Sequence, residues 1–131
     1  MLLYKFSPGQ KFTFLKLVRD IATADKTLQS GERDIIRELC DEMDISLVNI
    51  TTTLDHNSLS EIFNTRESRV LVMIELARIS LSDKVFAFGE SEILNGTRIK
   101  FGFSKKEMND ILRLAEVYGL LRQGIKMLAA G

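Results

Sequence analysis

The chain has 131 residues, of which 45% are hydrophobic and 27% are charged, a composition typical of one globular domain with a substantial core. Its 18 basic and 18 acidic residues balance, so it lacks the positive field that attracts a protein to nucleic acid or anionic lipid. Its single cysteine, Cys40, excludes an internal disulfide. No long uncharged apolar run and no secretory leader pattern is present, so we expect a cytoplasmic protein without a transmembrane segment.

Helical periodicity dominates the first half of the chain because strong helix breakers are scarce. Pro8 is the only proline and marks a helix start, and the apolar spacing after it predicts a first helix over about residues 9–24. Ser30 is a suitable N-cap for a second helix. The apolar side of that helix consists of Ile36, Leu39, Cys40 and Met43. Ser46 opens a third helix, and the polar segment 51–57 is interpreted as a connector.

The second half of the chain predicts four more helices. Ser58 caps a short fourth helix that ends near Phe63. Residues 66–81 are apolar on nearly every side, which predicts a fifth helix at the centre of the domain. A sixth helix is expected over about residues 88–101, and Ser104 caps a long seventh.

The seventh helix has a clear start signal, and its C-terminal part has two interpretations. Ser104 and Glu107 have the spacing of a capping box. Gly119 and Gly124 are the points at which this helix would bend, since glycine weakens a helix interior by roughly 1 kcal/mol. The apolar residues of segment 117–128 either close the core or form an exposed patch for a homodimer.

The chain contains an internal repeat. Residues 25–36 read DKTLQSGERDII, and residues 83–94 read DKVFAFGESEIL. At this offset of 58 residues, Asp25, Lys26, Gly31, Glu32 and Ile35 recur as Asp83, Lys84, Gly89, Glu90 and Ile93. Segment 43–46 also falls on segment 101–104, each with an apolar helix end, a turn residue, an apolar anchor and a serine N-cap.

The repeat predicts a duplicated helical unit in a single domain that spans residues 1–131. Repeat one covers about residues 10–57 and repeat two about residues 66–128. We expect an all-α fold, a compact bundle of about seven helices in which the two units pack about a pseudo-twofold axis.

The repeated frame resembles the TerB-like (tellurite-resistance protein B) family over roughly residues 10–115. The residues that carry the resemblance are Ala22-Thr23-Ala24-Asp25, Leu28, Glu32, Ile35, Ile36 and Met43-Asp44-Ile45-Ser46, with Asp83, Phe86, Glu90, Ile93 and Leu94 in the second copy. The resemblance implies a compact all-helical domain of about seven helices. It also implies a link to tellurite, metal or other chemical stress, and to assemblies at the inner membrane face.

The paired carboxylates of the repeat have two interpretations. Asp25 with Glu32, and Asp83 with Glu90, could converge as oxygen ligands of a divalent cation. Alternatively, each aspartate fixes its own turn and each glutamate is stabilised by the N-terminus of the next helix. The lysine beside each aspartate and the small number of oxygens favour the structural role.

No catalytic machinery is visible in the sequence. Cys40 shares a stripe with core residues, and the only histidine, His56, lies in the polar connector, so a cysteine nucleophile lacks an adjacent base. No glycine-rich phosphate loop or Ser-His-Asp arrangement is present. We therefore predict a protein that is not an enzyme.

An acidic run on the second helix is the remaining candidate for binding. It consists of Glu38, Asp41, Glu42 and Asp44. These residues are interpreted as a solvated helix face, with docking of a basic partner as the alternative. The function predicted from sequence is a non-enzymatic TerB-like interaction module in a stress-response or envelope-associated assembly. Its partner is a protein, not a nucleic acid, and the alternative function is a divalent-metal-binding domain.

Overall fold

The computed structural model of the chain describes residues 5–22, 30–44, 59–81 and 88–131. These residues contain six helices and no strand, which confirms the all-α prediction for the described part of the chain. The helices are α1 Pro8–Ala22, α2 Ser30–Met43, α3 Leu59–Ile62, α4 Arg66–Leu81, α5 Phe88–Phe101 and α6 Lys105–Ala129. The predicted helix from Ser46 and the connector 51–57 lie outside the described residues, so a count of about seven helices remains a prediction.

Side-chain caps determine where α1 and α4 begin. At α1, the backbone N–H of Gln10 donates to Ser7 Oγ over 3.2 Å, and the backbone N–H of Ser7 donates to Gln10 Oε1 over 3.0 Å. This reciprocal pair is a capping box immediately before Pro8. At α4, Thr65 Oγ1 accepts a hydrogen bond of 3.1 Å from the backbone N–H of Ser68. Both caps satisfy helix donors that have no partner within the helix.

The capping box predicted for α6 is confirmed. Ser104 Oγ accepts from the backbone N–H of Glu107 over 3.1 Å, and Glu107 Oε1 accepts from the backbone N–H of Ser104 over 2.9 Å. Arg66 at the start of α4 forms an ion pair with the same carboxylate. The hydrogen bond from the Ser104 backbone, followed by the one from Arg66, lowers the pKa of Glu107 to about 2. From this cap α6 continues unbroken through Gly119 and Gly124.

Helix α4 lies at the centre of the fold, as its all-round hydrophobicity predicts. It packs against α1, α2, α5 and α6. Leu76, Ala77 and Ile79 on α4 are fully buried, as are Phe14 and Ile21 on α1. No described helix is both long enough and apolar enough to cross a membrane.

A row of phenylalanine rings connects the elements at one end of the core. Successive centroid distances are 5.5 Å between Phe6 and Phe63, 6.0 Å between Phe63 and Phe101, and 6.5 Å between Phe101 and Phe103. Two of these three contacts are edge-to-face, a favourable geometry for aromatic pairs. The row joins the segment before α1 to α3 and to the turn between α5 and α6.

Helices α2 and α5 end in the same way, at positions 58 residues apart. Each is followed by a residue in the left-handed conformation, Asp44 with φ 55° and Gly102 with φ 79°. The backbone N–H of Asp44 donates to Asp41 O over 3.2 Å, and that of Gly102 donates to Ile99 O over 3.1 Å. The 14-residue spans of α2 and α5 also differ by the repeat offset. The local structure of these two helix ends therefore follows the sequence repeat.

Candidate functional site

An ion pair is buried in the middle of α4. Glu75 is fully buried, and Arg78, one helical turn later, is 6% exposed. Arg78 donates from Nε to Glu75 Oε2 over 2.9 Å, and its Nη2 lies 2.8 Å from the same oxygen. Residues three apart on a helix lie on one face, so both charges point in the same direction, toward α2 and α6.

Three charged side chains from α2 and α6 extend this pair into what we call the charge cluster: Glu38, Glu75, Arg78, Arg122 and Lys126. Glu38 Oε2 lies 3.4 Å from Arg78 Nη1 and 3.4 Å from Arg122 Nη2. The other oxygen of Glu38 pairs with Lys126 Nζ. One carboxylate of α2 thus holds three cations, two of which belong to the C-terminal half of α6.

Tyr118, a residue of α6, contacts two arginines of the charge cluster. The guanidinium carbon of Arg78 lies 5.0 Å from the centroid of the Tyr118 ring, and that of Arg122 lies 5.7 Å from it. Arg122 also donates to Tyr118 Oη over 2.8 Å. The neighbouring residue is Gly119, where an added Cβ would lie 3.8 Å from Arg78 Cγ. The arginine therefore lies over an aromatic face, beside a position of α6 that carries no side chain.

Burial and the neighbouring charge of Arg78 shift the pKa of Glu75 in opposite directions. Burial raises the pKa of this carboxyl above its ordinary value, and the charge and hydrogen bonds of Arg78 partly offset that rise. Within the described part of the chain, Glu75 Oε1 has no hydrogen-bond partner. The cluster contains three cations and two carboxylates and offers no open carboxylate set for a metal, so its geometry suits the fastening of α6 to α2 and α4.

The metal ligands predicted from the repeat are not described by the structure. Asp25 and Asp83 lie outside the described residues. Glu32 and Glu90 lie in the first turns of α2 and α5, but their side chains are not described. The described residues contain no group of three or more potential metal ligands. The divalent-ion site therefore stays a prediction.

The predicted acidic surface on α2 is divided between two environments. Asp41 and Asp44 are exposed, whereas Glu42 is half-buried. Glu38 is turned toward the charge cluster and is engaged by cations of its own chain. Cys40, also on α2, is half-buried and packs against the core, in agreement with the apolar stripe in which the sequence places it.

Helix α6 carries a large exposed apolar surface from its middle to its C-terminal end. Five of its side chains follow one another along one side of the helix, and we call them the α6 stripe. Their exposed fractions are 55% for Leu114, 63% for Val117, 59% for Leu121, 56% for Ile125 and 86% for Leu128. Of the two interpretations of segment 117–128, the exposed patch is therefore the one the structure supports for these residues.

The inner side of α6 explains this exposure. Met108, Ile111 and Ala115 are buried against the core, followed by Tyr118 and Arg122 in the charge cluster. These residues lie on one helix face with spacings of three or four, and the α6 stripe lies roughly 100° around the helix from them at about 100° per residue. The fold thus fixes α6 by one side and leaves the second apolar side in solvent.

Comparison with known proteins yields no relative: the chain matches no protein-family model, no curated protein and no solved structure. Sequence reasoning did not identify the charge cluster. The feature of the sequence that indicates this cluster is a pair of opposite charges, Glu75 and Arg78, three residues apart in a helix that is otherwise apolar on nearly every side.

Proposed function

We propose that this chain is a non-enzymatic, TerB-like interaction module that works in the cytoplasm, in a stress-response or envelope-associated assembly. Its architecture in this proposal is a bundle of about seven helices, built from two pseudo-symmetric units. The observation that carries the proposal is the exposed α6 stripe, because large contiguous apolar patches on a folded domain tend to mark sites of protein association.

The rigid attachment of α6 supports this function. The N-terminal half of the helix is held by the apolar core and the C-terminal half by ion pairs from Arg122 and Lys126 to Glu38. A helix fixed along its inner side loses little further conformational entropy when a partner binds its outer side. The α6 stripe is therefore preorganised for docking in the way that helix-in-groove and helix-pair recognition requires.

Exposed carboxylates at the C-terminal end of α2 are a second feature that a protein partner could contact. Asp41 on α2 and Asp44 directly after it are exposed, and α2 is the helix that Arg122 and Lys126 contact through Glu38. Exposed carboxylates of this kind change the rate and salt dependence of association more than its affinity. A partner with an apolar helix and basic flanking residues would complement both features.

Affinity capture from the source cells, with and without exposure to tellurite, tests the proposal. The tagged wild-type chain is compared with Leu121→Asp, which places a carboxylate in the centre of the α6 stripe. Met127→Asp is the matched control, because Met127 is 71% exposed on α6 but lies roughly 120° away from the stripe. We expect a specific protein that wild type and Met127→Asp both capture and that Leu121→Asp loses. Identical proteins captured by all three chains would contradict a role for this surface.

A further inference from the structure

The residues of the α6 stripe have the same spacing in both directions along the helix. Its members are separated by three, four, four and three residues, so the pattern is symmetric about Leu121. In an antiparallel pair of α6 helices that crosses at Leu121, Leu114 therefore faces Leu128 of the second copy. Val117 faces Ile125 in the same pair, and Leu121 faces itself. A surface that is complementary to itself under a twofold rotation is what an isologous dimer requires.

We infer that the partner of the α6 stripe is a second copy of this chain, bound through antiparallel packing of the two α6 helices about Leu121. The inference rests on the proposed function, because it names the occupant of the surface proposed there. The average spacing of the five residues is about 3.5, the periodicity of a left-handed helix pair. The inner side of α6 stays on its own core, so pairing requires no rearrangement of the described fold.

Charge distinguishes the antiparallel from the parallel arrangement. Asp110 is exposed and lies four residues before Leu114, on the same side of the helix as the stripe. In a parallel pair each residue faces its own copy, so the two Asp110 carboxylates would lie opposite each other at the start of the apolar seam. The antiparallel pair places Asp110 beyond Leu128 of the other copy, and the two carboxylates are then far apart.

The exposed area corresponds to a weak, reversible dimer. Together the five side chains expose the equivalent of about three fully exposed aliphatic side chains, each worth about 100 Å² of apolar surface. Two copies would therefore bury about 600 Å² of apolar area. At about 65% apolar content, typical of homodimers, this corresponds to roughly 900 Å² in total, just below the roughly 1,000 Å² that a stable interface exceeds and within the range of weak, transient association. We expect a dissociation constant in the micromolar range.

Sedimentation equilibrium of the full chain between about 1 and 300 µM tests self-association. We expect wild type and Met127→Asp to dimerise with the same dissociation constant. Leu121→Asp should weaken dimerisation by about 100-fold or more, because it brings two carboxylates together at the centre of the seam. Leu121 is 59% exposed, so this variant should retain the wild-type helical circular dichroism. A wild type that is monomeric at 300 µM, or a dimer that Leu121→Asp does not weaken, overturns the inference.

Disulfide trapping tests the direction of the helices. In a Cys40→Ala background, Leu114→Cys and Leu128→Cys are oxidised separately and as an equal mixture. The antiparallel pair predicts cross-linked dimers in the mixture and none in either variant alone, since a disulfide needs Cα atoms within about 7 Å. Self-cross-linking of Leu114→Cys shows a parallel pair and overturns the inference.

The two sets of experiments separate the inference from the proposed function. A monomeric chain whose capture of another protein depends on Leu121 overturns the self-association and leaves the interaction role intact. A monomeric chain with no Leu121-dependent capture overturns both.

Discussion

The buried pair of Glu75 and Arg78 gives the prediction with the largest expected effect. In Arg78→Met, the fully buried Glu75 loses the cation that lies 2.8 Å from its Oε2. Removal of one partner of a buried pair typically costs about 3–5 kcal/mol, because the other charge remains without compensation in a low-dielectric site. Domains of this size have unfolding free energies of about 5–15 kcal/mol, so the variant should lose at least about a fifth of its stability.

The reverse substitution should cost less. In Glu75→Leu, Arg78 keeps Glu38 at 3.4 Å and the Tyr118 ring at 5.0 Å, so we expect a loss of about 1–2 kcal/mol. Leucine is a suitable replacement, since Leu17 occupies the corresponding position of α1, 58 residues earlier, and is fully buried. The double variant Glu75→Leu/Arg78→Met should lie within about 1 kcal/mol of wild type, because both buried charges have been removed.

Urea denaturation followed by circular dichroism at 222 nm measures these free energies, and the four proteins form a double-mutant cycle. We expect a favourable coupling energy of at least about 2 kcal/mol between the two positions. The reasoning is refuted if Arg78→Met costs less than about 1 kcal/mol, or if the two single effects add without coupling.

The pH dependence provides an independent test of the same pair. Burial already raises the pKa of Glu75, and loss of Arg78 removes the main influence that lowers it. The folded Arg78→Met variant then holds a proton that the unfolded chain releases. Its stability should be highest below the ordinary glutamate pKa, and it should fall by up to about 1.4 kcal/mol per pH unit as the pH rises toward the folded pKa. The double variant should lack this slope.

Four further predictions concern a helix cap, the pH dependence of Glu107, two glycines and divalent ions. Ser104→Ala should reduce the unfolding free energy by about 1 kcal/mol. Because the pKa of Glu107 is lowered to about 2, the wild type should lose stability as the pH falls from about 4.5 toward 2. The Glu107→Gln variant should lose less stability over this range, as measured by melting temperatures at a series of acidic pH values. Gly102→Ala should destabilise the protein by about 1 kcal/mol because φ is 79° at this residue, whereas Gly96→Ala, in the middle of α5, should stabilise it by about 0.5–1 kcal/mol. An added Cβ meets nothing within 4 Å at either site, so the two variants differ only in backbone conformation. Urea denaturation that ranks their stabilities in the opposite order would contradict this expectation. The divalent-ion hypothesis predicts that millimolar calcium, magnesium or manganese raises the melting temperature of the wild type. Replacement of both aspartates of the repeated frame by asparagine should abolish this rise. An unchanged melting temperature of the wild type rejects the hypothesis.

Much of the described secondary structure was predictable because its signals are local. The capping box at Ser104 uses two side chains that reach only their own first turn, and it fixed the start of α6 correctly. The spans predicted as 66–81 and 88–101 agree with α4 and α5. The matching ends of α2 and α5, with Asp44 and Gly102 in the left-handed conformation, also lie where the 58-residue repeat aligns them.

The candidate site was less predictable because its contacts join distant parts of the chain. Glu38 and Arg78 are 40 residues apart, and nothing near Glu38 in sequence indicates that its carboxylate faces inward. The acidic run around it has the pattern of a uniformly solvated face. Only the packing of α2 against α4 separates Glu38 from the exposed Asp41.

The sequence by itself determined an all-helical chain with a central apolar helix, capped helix starts and two matching helix ends, since each depends on hydrogen bonds or periodicity within a few residues. It could not determine which side of α6 is buried, because that helix has two apolar sides. One contains Met108, Ile111 and Ala115, and the other is the α6 stripe. The tertiary structure decided between them, because the ion pairs of Glu38 and the Arg78–Tyr118 contact hold one side of α6 against α2 and α4 and leave the stripe in solvent.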